Sequence, residues 1–316
     1  MSQKQIIAVF GATGAQGGGL ARAILADRSG SFALRALTRN PTSDKGQALA
    51  QAGAEVVAAD ADKPETLERA LEGAHGVFCV TNFWEHMSPE RELAQAGAMA
   101  RATKGAGVKH VVWSTLEDTR KHVALSDSRL PTLMGKYKVP HFDAKGEADA
   151  VFKAEAAPTS YLLAAFYWEN FIYFGMQPRR NPAGVLQVNL PLGGQKLPGI
   201  GAEDIGKCAL GVFRKGPSTA GRRFGVAGEV LSGDEIAAAF GRALGEKVGF
   251  QDVPFDVFRG LGFPGAEDLG NMFQFQQIRG QDFLKDRSPS LSRELNPELL
   301  GFDAWLAANA AKIPKE

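Results

Sequence analysis

The segment Gly11-Ala-Thr-Gly14-Ala-Gln-Gly17 constrains this chain more than any other. It follows an apolar run, Ile6 to Phe10, and opens an alanine-rich stretch, so it reads as the turn between a strand and a helix. Three glycines at such a junction serve three needs. The first permits a tight turn, the second lets a pyrophosphate approach the backbone, and the third lets the helix pack closely on the strand. The helix start offers unpaired N–H groups and a positive dipole end to an anion. The expected fold is therefore α/β, a doubly wound parallel Rossmann sheet, with Gly11, Thr13, Gly14, Ala15, Gln16 and Gly17 around a dinucleotide.

The first half of the chain keeps that rhythm. Strands are expected at Gln5–Phe10, Ala33–Thr38, Glu55–Ala59, Gly76–Thr81, His110–Ser114 and Ser160–Ala164. Helices are expected at Gly17–Ala26, Lys45–Ala52, Pro64–Leu71, Pro89–Gly105 and Phe142–Glu155. Short connections between alternating strands and helices demand right-handed crossovers and a parallel sheet. After about residue 165 the pattern changes. A proline- and glycine-rich stretch surrounds a β-like run at Val185–Asn189, and a helix at Glu203–Phe213 and a strand at Arg223–Ala227 follow. Ser232 to Glu235 reads as a capping box for a helix through Leu244, with further helices at Pro264–Ile278 and Pro297–Ala311. Residues 1–165 are thus assigned to the dinucleotide-binding domain, with 203–227 returning to it. The rest of 166–316 is assigned to a smaller, mostly helical lobe for a substrate or partner.

Several function classes drop out on charge and hydropathy. The formal net charge is +1, with basic residues spread along the chain, which gives no footprint for nucleic acid or an anionic membrane. The opening apolar run is too short for a secretory segment, and no later stretch is long enough to cross a bilayer. Cys79 and Cys208 lie far apart in apolar segments and read as reduced core thiols. No metal is expected.

The end of the second strand decides the cofactor. An NAD site places an acid there, roughly 20 residues past the loop. Here Leu37-Thr-Arg39-Asn40-Pro41 has no acid, and Arg39 can meet a 2′-phosphate with a charge-assisted pair. Thr38, Asn40, Thr42 and Ser43 add neutral donors. NADP(H) is therefore the expected cofactor. Asp60 and Ala61 end the third strand, where a carboxylate can accept from the adenine amino group. Thr81, Asn82 and Phe83 end the fourth, at the carboxyl edge where open α/β sheets bind ligands.

Taken together, these residues resemble the NmrA-like family, an atypical branch of the short-chain dehydrogenase/reductases, and within it the redox-sensor members. The blocks that carry the resemblance are Phe10–Gly18, Thr38–Pro41, Val80–Asn82, His141–Glu147, Glu169–Asn170, Leu261–Ala266 and Asn271–Phe273. The last two are the more specific, because a generic Rossmann chain has no reason to share them. The resemblance implies NADP(H) at the glycine loop, the Arg39 segment, Asp60, the Thr81 turn, Lys145 and the segment Ala165, Phe166 and Tyr167. It also implies a cytoplasmic location, self-association as a homodimer in some members, and a protein partner governed by cofactor state. Two departures stand out: Ser43 replaces a second basic residue, and alanine at 164 or 165 replaces a proline.

Reduction of a carbonyl needs a proton donor. Typical members of the superfamily place a tyrosine four residues before the ribose-binding lysine; here Lys145 has His141 at that spacing. Tyr137 falls in the loop before the helix, because Pro140 suits a first turn. His141 is thus a candidate donor, or a residue that merely packs or caps at a helix start, and Ser114 or Thr115 is a candidate to orient a substrate oxygen, or a strand-end hydroxyl that satisfies backbone. A complete cofactor site beside a missing tyrosine–lysine pair makes a redox sensor with little turnover the leading expectation. The alternative is an NADPH-dependent reductase of quinones or similar small molecules, using His141 or an unassigned proton donor beside Lys145.

Overall fold

The computed structural model describes residues 4–27 and 30–314. The first half runs β1 (Gln5–Val9), α1 (Ala15–Ala26), β2 (Phe32–Thr38), α2 (Asp44–Gln51), β3 (Glu55–Ala58), α3 (Leu67–Leu71), β4 (Gly76–Cys79), α4 (Pro89–Gly105), β5 (His110–Thr115), α5 (Pro140–Glu155) and β6 (Thr159–Leu163). The second half runs β7 (Phe166–Tyr167), α6 (Asn170–Tyr173), β8 (Arg179–Arg180), β9 (Leu186–Leu190), β10 (Leu197–Ile200), α7 (Ala202–Lys215), β11 (Arg223–Gly225), β12 (Glu229–Leu231), α8 (Gly233–Leu244) and β13 (Val248–Asp252). It ends in α9 (Phe255–Arg259), α10 (Ala266–Arg279), α11 (Gln281–Lys285), α12 (Pro289–Leu295) and α13 (Phe302–Asn309).

Seven parallel strands form the main sheet in the order β11-β6-β5-β4-β1-β2-β3. Alternate side chains explain why both faces are covered. Ile7 and Val9 of β1 join the core under α1 and α7, while Ala8 and Phe10 join the one under α3, α4 and α5. The order reverses between β1 and β4, which opens the crevice where such sheets hold ligands. α7 brings the later chain back onto the first unit. A Cβ on Gly19 would lie 2.6 Å from the Glu203 carbonyl oxygen, and one on Gly206 would lie 2.1 Å from the Leu20 nitrogen, so the two backbones touch.

The remaining elements build the second lobe around its own core, in which Phe171, Phe240, Phe273, Phe275, Phe302 and Trp305 are buried. Two three-stranded sheets, β12-β10-β7 and β13-β9-β8, brace its helices. The capping box at α8 forms as expected, with Ser232 and Glu235 bonding reciprocally. The helix expected from Pro297 instead begins at Phe302. Asp204 draws residues 296–300 out of helical geometry by accepting from Asn296 Nδ2 at 2.8 Å and the Leu300 N–H at 3.1 Å.

Candidate active site

The first turn takes the shape its glycines allow. Gly11 has a φ of +63°, open to glycine and costly for other residues, and its carbonyl accepts from the Gly14 N–H at 2.8 Å. A Cβ on Gly17 would sit 2.4 Å from the Gly11 oxygen and 2.6 Å from the Phe10 oxygen, so the third glycine is what lets α1 start against β1. No side chain caps α1, and its first N–H groups face the crevice.

That crevice is the floor of a cavity of about 740 Å³ between the carboxyl edge of the sheet and the second lobe. All but one of the residues named above for cofactor or chemistry line it. They include Gly11, Thr13, Gly14, Ala15, Gln16 and Gly17, then Arg39, Asn40 and Ser43, Asp60 and Ala61, Thr81, Asn82 and Phe83, Ser114, His141, Lys145, and Ala165, Phe166 and Tyr167. Thr42 is the exception among the neutral donors, because its hydroxyl is turned to Asn40 Oδ1 at 2.8 Å. The Ser43 hydroxyl is also spent, donating to the Asn40 carbonyl at 2.8 Å and capping α2 at Gly46. Arg39 is the basic side chain lining this end of the cavity, and it is paired with Glu85.

At the centre, Lys145 reaches from α5 to the end of β4. Its ammonium donates to Thr81 Oγ1 at 2.6 Å and the Thr81 carbonyl at 3.2 Å, and it lies 2.6 Å from Glu92 Oε1. Glu92, on α4, is wholly buried. Burial opposes its ionisation, yet the Lys145 charge and the donors around it hold the carboxyl down at about 2. His86 backs this pair. Its Nδ1 accepts from the Ser88 N–H at 3.0 Å, so the ring proton sits on Nε2, 3.4 Å from Glu92 Oε2. Ser114 donates to Gln16 Oε1 at 2.8 Å, and Gln16 in turn donates to the Tyr167 hydroxyl, so three cavity side chains form one chain of hydrogen bonds. Burial pushes the Tyr167 phenol up to about 12, which leaves it protonated.

His141 occupies the first turn of α5, and Pro140 opens that helix as expected. Tyr137 lies outside the cavity, its hydroxyl 3.4 Å from Glu90 Oε1. The His141 ring makes a bond that sequence reasoning missed. Nδ1 lies 2.7 Å from Asp268 Oδ1, and the His141 N–H donates to Asp268 Oδ2 at 3.1 Å. Asp268 belongs to α10 of the other lobe, so nothing local in the sequence announces it. The carboxylate fixes the proton on Nδ1, and Nε2 is left without a hydrogen bond to the described residues, on a ring that lines the cavity. Trp84 and Phe142 pack around that ring, each 4.8 Å from it between centroids. Beyond His141 the wall is largely apolar, with Met176, Leu269, Met272 and Phe283, and it includes the buried Arg287, which is paired with Glu117. Both cysteines are buried, and their thiols are pushed up by that burial, Cys208 to about 12.

Comparison with known proteins agrees with this architecture. The NmrA-like family model matches residues 3–306. An NmrA-like family domain-containing oxidoreductase, FrzB of Cladobotryum sp., is 31% identical, covering 87% of this chain and 84% of that protein. Among solved structures, NmrA, a negative transcriptional regulator crystallised with NADP, superposes with a TM-score of 0.77 at 22% identity, over 97% of this chain and 95% of that one. The Escherichia coli NADPH-dependent quinone oxidoreductase QOR2, complexed with NADPH, gives a TM-score of 0.73 at 21% identity, over 97% and 99%.

Proposed function

From the premise that this chain belongs to the NmrA-like family, we propose that it binds NADPH and reduces a small, largely apolar acceptor. The cavity residues fit the cofactor. The open N-terminus of α1 and the close backbone at Gly14 suit a pyrophosphate, Arg39 a 2′-phosphate, and Lys145 a ribose hydroxyl. NmrA and QOR2 were both crystallised with such a nucleotide, and FrzB is named an oxidoreductase.

The observation that carries the reductase reading is the His141–Asp268 pair, whose imidazole lines the cavity. Bound here, a reduced nicotinamide supplies a hydride. The chain must supply the matching proton and keep water out. In its charged form His141 holds a proton at Nε2, while Asp268 anchors Nδ1 and sets the ring's direction. The aromatic groups around the ring, with Met176, Leu269 and Met272 beyond, exclude water and offer a flat acceptor a dry wall. This arrangement does the work expected of the tyrosine that the chain lacks. It favours turnover over the sensor reading, which rested on the absence of a donor.

The test is NADPH oxidation with a panel of quinones, aldehydes and dyes. Wild type should consume NADPH in the presence of at least one acceptor. His141→Ala should lose about 10²- to 10⁴-fold in that rate while still binding NADPH. Tight NADPH binding without consumption by any acceptor would support the sensor reading instead.

A further inference from the structure

Three arginine and lysine side chains line the cavity among the described residues, and each faces a carboxylate: Arg39–Glu85, Lys145–Glu92 and Arg287–Glu117. Two of these pairs are built in. The Glu92 side chain is 0% exposed and that of Glu117 8%, so parting either pair would strand a buried charge. The third pair differs. The Arg39 and Glu85 side chains are 58% and 40% exposed, and an ion pair in water opens at little cost.

The Arg39–Glu85 pair also bridges the ends of two strands that are not neighbours in the sheet, since β1 lies between β2 and β4. Arg39 follows β2, whereas Glu85 closes the turn after β4. Nearby acids are occupied elsewhere. Asp62 takes Arg91 at 2.6 Å and Gln95 at 3.0 Å, and Asp60 Oδ1 accepts the Asp62 N–H at 3.1 Å. Glu85 is left as the carboxylate bonded to Arg39, and both residues lie on the cavity wall.

We propose that Glu85 is a specificity-determining residue, an internal competitor for the phosphate that Arg39 recognises, so that NADPH binds by anion exchange. This rests on the reading of Arg39 as the 2′-phosphate site. The incoming phosphate, with more charge and more acceptor oxygens than a carboxylate, takes the guanidinium, and Glu85 turns to water. A nucleotide with no 2′-phosphate leaves the pair closed. Glu85 therefore trims the preference for NADPH over NADH that Arg39 confers.

The test is calorimetric titration of wild type, Glu85→Gln and Arg39→Ala with NADPH and NADH, and with adenosine 2′,5′-bisphosphate and 5′-AMP as fragments. Glu85→Gln should bind NADPH and the bisphosphate about two- to fivefold tighter than wild type, the range of an exposed ion pair, with NADH and AMP unchanged. Glu85→Ala repeats the test without an amide that could bond Arg39 again. Unchanged or weaker NADPH binding in both Glu85 variants, or equal changes for NADPH and NADH, would overturn the competition. Arg39→Ala separates the two claims. If it weakens NADPH selectively while the Glu85 variants do nothing, only the competition falls; if it weakens both cofactors alike, the phosphate assignment falls as well.

Discussion

Asp268 decides which way His141 can act. With Nδ1 tied to that carboxylate, the ring can exchange a proton with the cavity only through Nε2. Asp268 touches no reacting group on this reading; it positions one. Asp268→Asn should therefore lower kcat by about tenfold or more, a part of the roughly 10²- to 10⁴-fold that acid–base catalysis supplies, and leave KM for NADPH unchanged. A rise in KM with kcat intact would place Asp268 in binding instead. Single side chains were legible from the sequence when their position in a repeating pattern gave them away. Arg39 follows a strand end, Lys145 sits on a helix, and His141 lies one turn before it. Glu85, Glu92 and Asp268 were not legible, because each becomes meaningful only through a partner on another element.

The β1–α1 junction shows what an element demands of its residues. Gly17 and Gly18 are neighbours in one helix, yet they carry different loads. A Cβ on Gly17 runs into the backbone oxygens of Phe10 and Gly11, which cannot move without opening the turn. A Cβ on Gly18 meets the far end of the Arg22 side chain at 3.2 Å, which can swing away. Gly17→Ala should destabilise the fold by about 1–3 kcal/mol and weaken NADPH binding, whereas Gly18→Ala should be close to neutral in thermal or urea unfolding. Equal effects from the two substitutions would count against the assigned packing. The strand–helix alternation of the first half was readable because buried parallel strands and alanine-rich helices leave strong periodic signals. Of the strands in the two small sheets only β9 was readable, as the β-like run at Val185–Asn189. β7 and β8 hold two residues each, too few to display an alternation of period two. The helix assigned from Pro297 failed for a different reason, since Asp204, far away in the chain, captures its first turn.

Neither half of the molecule makes the cavity alone. The sheet edge contributes the glycine loop, the Arg39 segment and Lys145, and the second lobe contributes Leu269, Met272 and the apolar far wall, with Asp268 bonded to the His141 ring. On the proposed reductase reading, cofactor and acceptor share a single space of about 740 Å³, large enough for part of a dinucleotide and a small acceptor side by side. The sequence pointed to the cofactor end because that end follows from local turns, while the acceptor end depends on how α10 docks against α5. All of this presumes that a pyridine nucleotide lies over the β1–α1 turn with its extra phosphate at Arg39. Calorimetric titration of folded wild-type protein with NADPH tests that most directly. One saturable site is expected, with NADPH favoured over NADH and the preference lost in Arg39→Ala; no heat with either nucleotide would contradict it.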